Sequence, residues 1–249
     1  METLHFAGIA IFVVLAPFVV IALVFVGLIT LTAAVEKRLV WPYVPEASAA
    51  AGSMPGLNAY AQVAGSAATE MGFVWIGAFG DGKGKLYKLR YNFFLSPERD
   101  IVALVGNGTM ASVPSQSTWL YSLLEDGRAV ATVDSQSAVE TDLTGLTNSA
   151  LAAGVGFYAL VMAHRRRTAA CAVRPFSPTD PLGELRAFRQ SRTERLCALG
   201  EASFLDAGRA AWRYTGKGAA RLAVRQYFMG LRRSFLPDKI RPAENSARR

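Results

Sequence analysis

The chain has few of the side chains that most often carry chemistry. Its 249 residues hold two cysteines, Cys171 and Cys197, and two histidines, His5 and His164. Two cysteines so late in the chain give neither a disulfide framework nor a thiolate metal site. Two histidines cannot supply the usual multi-ligand zinc shell. A Ser/His/Asp or Cys/His arrangement would have to use His164, and no spacing in the sequence supports one. The acidic Glu98, Asp100, Glu125 and Asp126 fall at turns, where solvent exposure explains them. No catalytic, cofactor-binding or metal-binding residue is assigned from the sequence, and no cofactor is expected.

A second absence is charge. From Thr3 to Val35 there is no Asp, Glu, Lys or Arg. About 20 apolar residues suffice to cross the ~30 Å hydrocarbon core, so residues 6–35 are expected to form a transmembrane helix, with Pro17 kinking it. A cleaved signal peptide would need a basic start and a shorter apolar core. Lys37 and Arg38 follow at once, with Trp41 and Tyr43 as interfacial anchors. Cytoplasmic flanks are enriched in Lys and Arg, which places residues 1–5 outside an inner membrane and the rest in the cytosol.

The net charge of +8 is unevenly spread. Residues 36–148 carry 8 basic and 11 acidic side chains, and residues 164–249 carry 19 basic and 7 acidic. A second apolar stretch, Ala150–Ala163, is short and broken by Gly154 and Gly156. Stretches of this length are more often packed than membrane-crossing. Leu151, Val155, Tyr158 and Met162 share one helical stripe, so a helix over 148–163 is expected to cover the domain. The alternative is a two-pass protein with residues 36–148 outside and a basic cytosolic tail.

Residues 36–56, rich in Ala, Ser, Gly and Pro, read as a juxtamembrane linker. Leu57–Thr69 reads as a short helix. Then the period changes to two. In "KLYKLRYNFFL" the apolar Tyr87, Leu89, Tyr91 and Phe93 alternate with polar residues, which predicts a half-buried strand. Gly72–Phe79 precedes it across "GDGKG", a hairpin turn. Ile101–Gly106, Thr118–Leu124 and Arg128–Asp134 follow, separated by turn residues. The expected fold is α+β: a transmembrane helix, a five-stranded antiparallel meander covered by helices over residues 57–163, a basic helical region over 164–237 and a polar tail over 238–249. In the basic region Asp180 is a helix N-cap with Pro181 at the first helical position.

Two stretches resemble phosphate loops on the surface only. "GAFGDGK" (Gly77–Lys83) lacks the hydroxyl residue after its Lys and precedes a strand rather than a helix, so it reads as a hairpin turn. "TGKGAARLA" (Thr215–Ala223) opens a helix, whose amides and Lys217 could meet an anion; the signal is weak, and a plain glycine-containing turn is the preferred reading. Asn107–Thr109 matches a glycosylation acceptor, which a cytosolic domain would leave unmodified.

Over 219–236, Val224, Phe228, Leu231 and Phe235 form an apolar stripe, while Arg221, Arg225 and Arg232 line another face. A basic amphipathic helix suits an anionic membrane surface. The expected headgroup contacts are Lys37, Arg38, Lys217, Arg221, Arg225, Arg232 and Arg233. "HRRR" at His164–Arg167 reads as a basic helix end that complements the dipole. No nucleic-acid-binding signature is present. The expected function is non-catalytic: a membrane-anchored chain whose domain binds a protein partner or the anionic membrane surface. An enzyme with no sequence-visible site is the rival reading.

Overall fold

The computed structural model describes residues 2–39, 44–45, 59–81, 87–110, 113–135, 143–151 and 154–235. The helices are α1 (Glu2–Val35), α2 (Ala59–Glu70), α3 (Phe157–Thr168), α4 (Pro181–Ala198) and α5 (Gly216–Phe235). The strands run from β1 (Arg38–Leu39), β2 (Val44–Pro45) and β3 (Val74–Asp81) through β4 (Tyr87–Leu95), β5 (Val102–Met110) and β6 (Val113–Leu124). They continue with β7 (Ala129–Ser135), β8 (Thr147–Leu151), β9 (Val173–Arg174), β10 (Ala202–Phe204) and β11 (Ala211–Tyr214). The chain divides into two compact units: residues 1–39 with 193–237, and a larger α+β unit beginning at Val40 and ending its described part at Arg192.

In the α+β unit an eight-stranded sheet has the order β2-β3-β4-β5-β6-β7-β8, with β9 paired to the end of β6. Strands β3 to β7 are consecutive and antiparallel, and they occupy the five segments of period-two patterning. The expected five-stranded meander is thereby corrected to a larger, mixed sheet. The short β2 extends one edge, and β8 adds in parallel to β7 at the other.

The sheet is also covered on both faces. On one, Ala61, Ala64 and Ala68 of α2 and Phe157, Leu160 and Val161 of α3 pack on Phe94, Ile101, Ala103, Val105 and Leu120. Alanines at i, i+3 and i+7 put one smooth face of α2 close to the sheet. On the other face Phe176 and the α4 residues Leu185 and Phe188 meet Tyr91, Phe93, Leu104, Tyr121 and Ala131. Phe93 and Phe94, neighbours on opposite faces, are therefore both fully buried, and Asn92 on the expected polar face is buried as well.

The helix expected over 148–163 is displaced. Residues 147–151 are strand, Gly154 turns the chain at φ +74°, and α3 begins only at Phe157. The stripe read as core is the outer one: Tyr158 and Met162 are exposed, while Phe157, Leu160, Val161 and His164 are buried. Hydrogen bonding of β8 to β7 outweighs the helical pattern, which a five-residue segment expresses weakly.

In the smaller unit, α1 and α5 pack together, with the rings of Phe25 and Tyr227 6.5 Å apart. A three-stranded antiparallel sheet, β1-β11-β10, adjoins them. The expected transmembrane helix is corrected here: among the described residues no helix is long and apolar enough to cross a membrane.

Local signals place α4. Asp180 caps it through Oδ1, which accepts the Gly183 N–H at 2.8 Å, and Pro181 takes the first helical position. Of the first phosphate-loop candidate, Gly77–Asp81 lie within β3 and the rest lies outside the described residues. Asn107–Thr109 lie within β5, paired to both β4 and β6.

Candidate functional site

The α+β unit carries a polar cluster between α3 and the sheet. His164, read as part of a basic helix end, is fully buried, as are Ser122 on β6 and Thr132 on β7. The Nε2 of His164 lies 2.9 Å from Ser122 Oγ, and Nδ1 lies 2.8 Å from Thr132 Oγ1. Ser122 donates its own proton to the Asp100 carbonyl at 2.6 Å. Its oxygen can therefore only accept from His164, which puts the imidazole proton on Nε2. Nδ1 then accepts from Thr132, whose oxygen accepts in turn from Arg167 Nη1 at 2.6 Å. Every donor in this chain meets an acceptor.

Arg167 anchors the far end. It donates to the Ala131 carbonyl, and its Nη2 reaches the Asn148 carbonyl at 2.8 Å and the Asn148 Oδ1 at 3.1 Å. One guanidinium thus ties α3 to β7 and β8, using the fork geometry that Lys lacks. Burial, reinforced by the Arg167 and Arg165 charges, pushes His164 down to about 3. The imidazole is neutral throughout the physiological range. Ser122 and His164 have the atoms of a nucleophile and base, but the serine proton is committed to a backbone carbonyl and the pair is sealed from solvent. The arrangement is suited to holding α3 on the sheet.

A second cluster links α2 to the same face. Tyr60 Oη lies 2.8 Å from Thr118 Oγ1 and donates to Asp134 Oδ2 at 3.5 Å, while the Gly154 N–H donates to Asp134 Oδ1 at 2.8 Å. Burial raises Tyr60 to about 12 and also raises Asp134. Both clusters join residues far apart in sequence, which is why spacing did not point to them. Among the described residues no three His, Cys, Asp or Glu side chains could hold a metal ion, and both cysteines are free.

In the smaller unit several of the basic residues expected at lipid headgroups have partners within the chain. Arg38 is held: it pairs with Glu36 at 2.5 Å and lies over the rings of Tyr214 and Trp212, 5.0 and 5.8 Å from their centroids. Lys217 donates to the Leu199 carbonyl at 2.9 Å, and Arg221 pairs with the buried Glu201. Thr215, which caps α5 through the Gly218 N–H, also bonds the Gly200 carbonyl. The "TGKG" stretch is a turn joined to the end of α4. Lys37 and Arg225 are exposed, as Lys217 and Arg221 are. Arg232 and Arg233 belong to α5, with side chains outside the described residues.

Around these cations the surface is apolar. Val19, Val20, Ile21, Leu23, Val24, Phe25, Leu28, Leu31 and Val35 of α1 are each at least half exposed. On α5 the residues facing inward are Ala219, Leu222 and Ala223, whereas Val224 and Phe228 of the expected stripe are exposed, Phe228 by 63%. Soluble monomers seldom show so much contiguous apolar surface. The chain matches no protein-family model, no curated protein and no solved structure.

Proposed function

We propose that the protein is a non-catalytic, membrane-associated binding module that attaches to the cytosolic leaflet of the cell membrane through its α1–α5 unit. The observation that carries this reading is the outward apolar surface of α1, joined by Val224 and Phe228 of α5, beside the exposed cations Lys37 and Arg225. Apolar side chains exposed on successive turns over a broad arc of the helix, outside the inward stripe of Ala22, Val26, Ile29 and Ala33, match acyl chains, which have no preferred direction. A folded protein partner would more commonly meet a single stripe with a polar rim. Basic residues add attraction to anionic headgroups, which the cytosolic leaflet carries.

The experiment is sedimentation of the full chain with phospholipid vesicles. Binding is expected, and Val224→Asp with Phe228→Asp should weaken it on vesicles of any charge. A chain that stays in the supernatant with every vesicle composition sinks the reading. For the α+β unit the sealed Ser122–His164 pair supports a binding role rather than hydrolysis. A fluorophosphonate probe is expected to leave Ser122 unlabelled in the folded protein; stoichiometric labelling would restore the enzyme reading.

A further inference from the structure

The three-stranded sheet of the smaller unit sorts its cations by face. Arg38 pairs in register with Trp212, and Trp212 with Phe204, so these three residues share one face, along with Tyr214 two positions on. There the Arg38 charge is met by Glu36 and by two aromatic rings. Continuing the same antiparallel register by one residue sets Lys37 opposite Arg213, and Arg213 is paired in turn with Ser203. Side chains alternate between faces along a strand. Lys37, Arg213 and Ser203 therefore form a row across the opposite face.

Among the described residues this row meets no counter-charge. Lys37 and Arg213 are both exposed and Ser203 is half-buried. Among the described residues, the ion pairs and side-chain hydrogen bonds of this unit involve none of the three. Like charges directly across an antiparallel pair are unfavourable, their β-carbons being only ~5 Å apart. An anion seated between them removes that penalty. An ammonium, a guanidinium fork and a hydroxyl together offer a phosphate group several donors at once.

We propose that Lys37, Arg213 and Ser203 bind the phosphate of an anionic phospholipid headgroup. The position of the row selects a lipid as the source. Lys37 stands two residues beyond Val35, the last exposed aliphatic side chain of α1, so the phosphate site begins where the acyl-matching surface ends. The assignment rests on the membrane-associated reading above and adds to it a specific headgroup contact that includes Arg213 and Ser203.

The test uses the full chain with two vesicle types, phosphatidylcholine alone and phosphatidylcholine mixed with phosphatidylglycerol. Lys37→Gln combined with Arg213→Gln should lower partition onto the anionic vesicles by roughly 25-fold, about fivefold per basic residue, and leave partition onto the neutral ones unchanged. Arg166→Gln with Arg186→Gln removes the same net charge from exposed positions in the α+β unit, and should change either partition less than about twofold. Lys37→Arg should retain binding.

If the wild type binds but Lys37→Gln with Arg213→Gln binds anionic vesicles as tightly, the headgroup assignment is overturned while the membrane reading stands. An equal loss from the Arg166/Arg186 control would reduce the effect to net charge and also overturn it. Saturable binding of inorganic phosphate that the row variant abolishes, with vesicle partition unaltered, reassigns the row to free phosphate. If the wild type binds neither vesicle, both readings fall.

Discussion

Tyr91 on β4 lies directly across from Gly106 on β5, and its ring fills the space that a β-carbon on residue 106 would need. Tyr91 is buried on the α4 side of the sheet, among Phe93, Leu104 and Tyr121. The glycine admits the ring rather than serving a turn.

Gly106→Ala is accordingly expected to destabilise the protein by about 1–3 kcal/mol through overpacking, as measured by urea unfolding of the full chain. In a Tyr91→Leu background the same change should cost much less, because the obstructing ring is gone. Equal costs in the two backgrounds would show that Gly106 matters for some other reason than this contact.

His164 predicts a pH dependence with a definite sign. Its folded pKa, pushed down to about 3 by burial and by Arg167 and Arg165, lies below the ~6.5 of an unfolded histidine. The unfolded chain therefore binds the proton more readily, and the stability contributed by neutral His164 is complete above pH ~6.5. It is lost as pH falls toward 3, at up to about 1.4 kcal/mol per pH unit. Carboxylates also titrate in that window, so the measurement is a difference: His164→Gln should have a flatter stability profile than wild type between pH 6.5 and 4. Parallel profiles would refute the assignment.

Gly216 and Gly218 stand two residues apart at the start of α5 and should respond oppositely. A β-carbon at 218 would run into the Glu201 backbone carbonyl, whereas one at 216 meets nothing within 4 Å. That carbonyl is fixed, since it accepts the Thr215 N–H at 2.9 Å, and backbone cannot move aside as a side-chain tip can. Gly218→Ala is expected to cost roughly 2 kcal/mol or more. Gly216→Ala should stay within about 1 kcal/mol of wild type, with any change toward greater stability. Thermal unfolding of the two variants side by side checks the contrast, and equal losses would contradict it.

Features made by neighbours in the chain could be read without coordinates. The alternation through Tyr87–Phe93, punctuated by glycine and proline turns, marks β4 and its partners because a strand's side chains take turns between two faces. The Asp180–Pro181 cap is equally local: acceptor and donor lie three residues apart. Composition alone gave the uncharged run before Val35 and the basic surplus after His164.

What tertiary structure decided was the fate of groups whose partners lie far away. His164 reads as one more polar residue in "HRRR" until Ser122, 42 positions earlier, and Thr132, 32 positions earlier, close around it. Residues 147–151 became a strand because β7 offered an open edge, and α3 consequently turned toward the core the side opposite the stripe of Tyr158 and Met162. Lys37 and Arg213 are 176 positions apart in the numbering, and only the register of β1 on β11, continued by one residue, sets them opposite each other. Periodicity records which side chains share a face. Which face is buried, and which charge finds a partner there, depends on elements that the chain brings back from elsewhere, and only the assembled sheets and helices determine it.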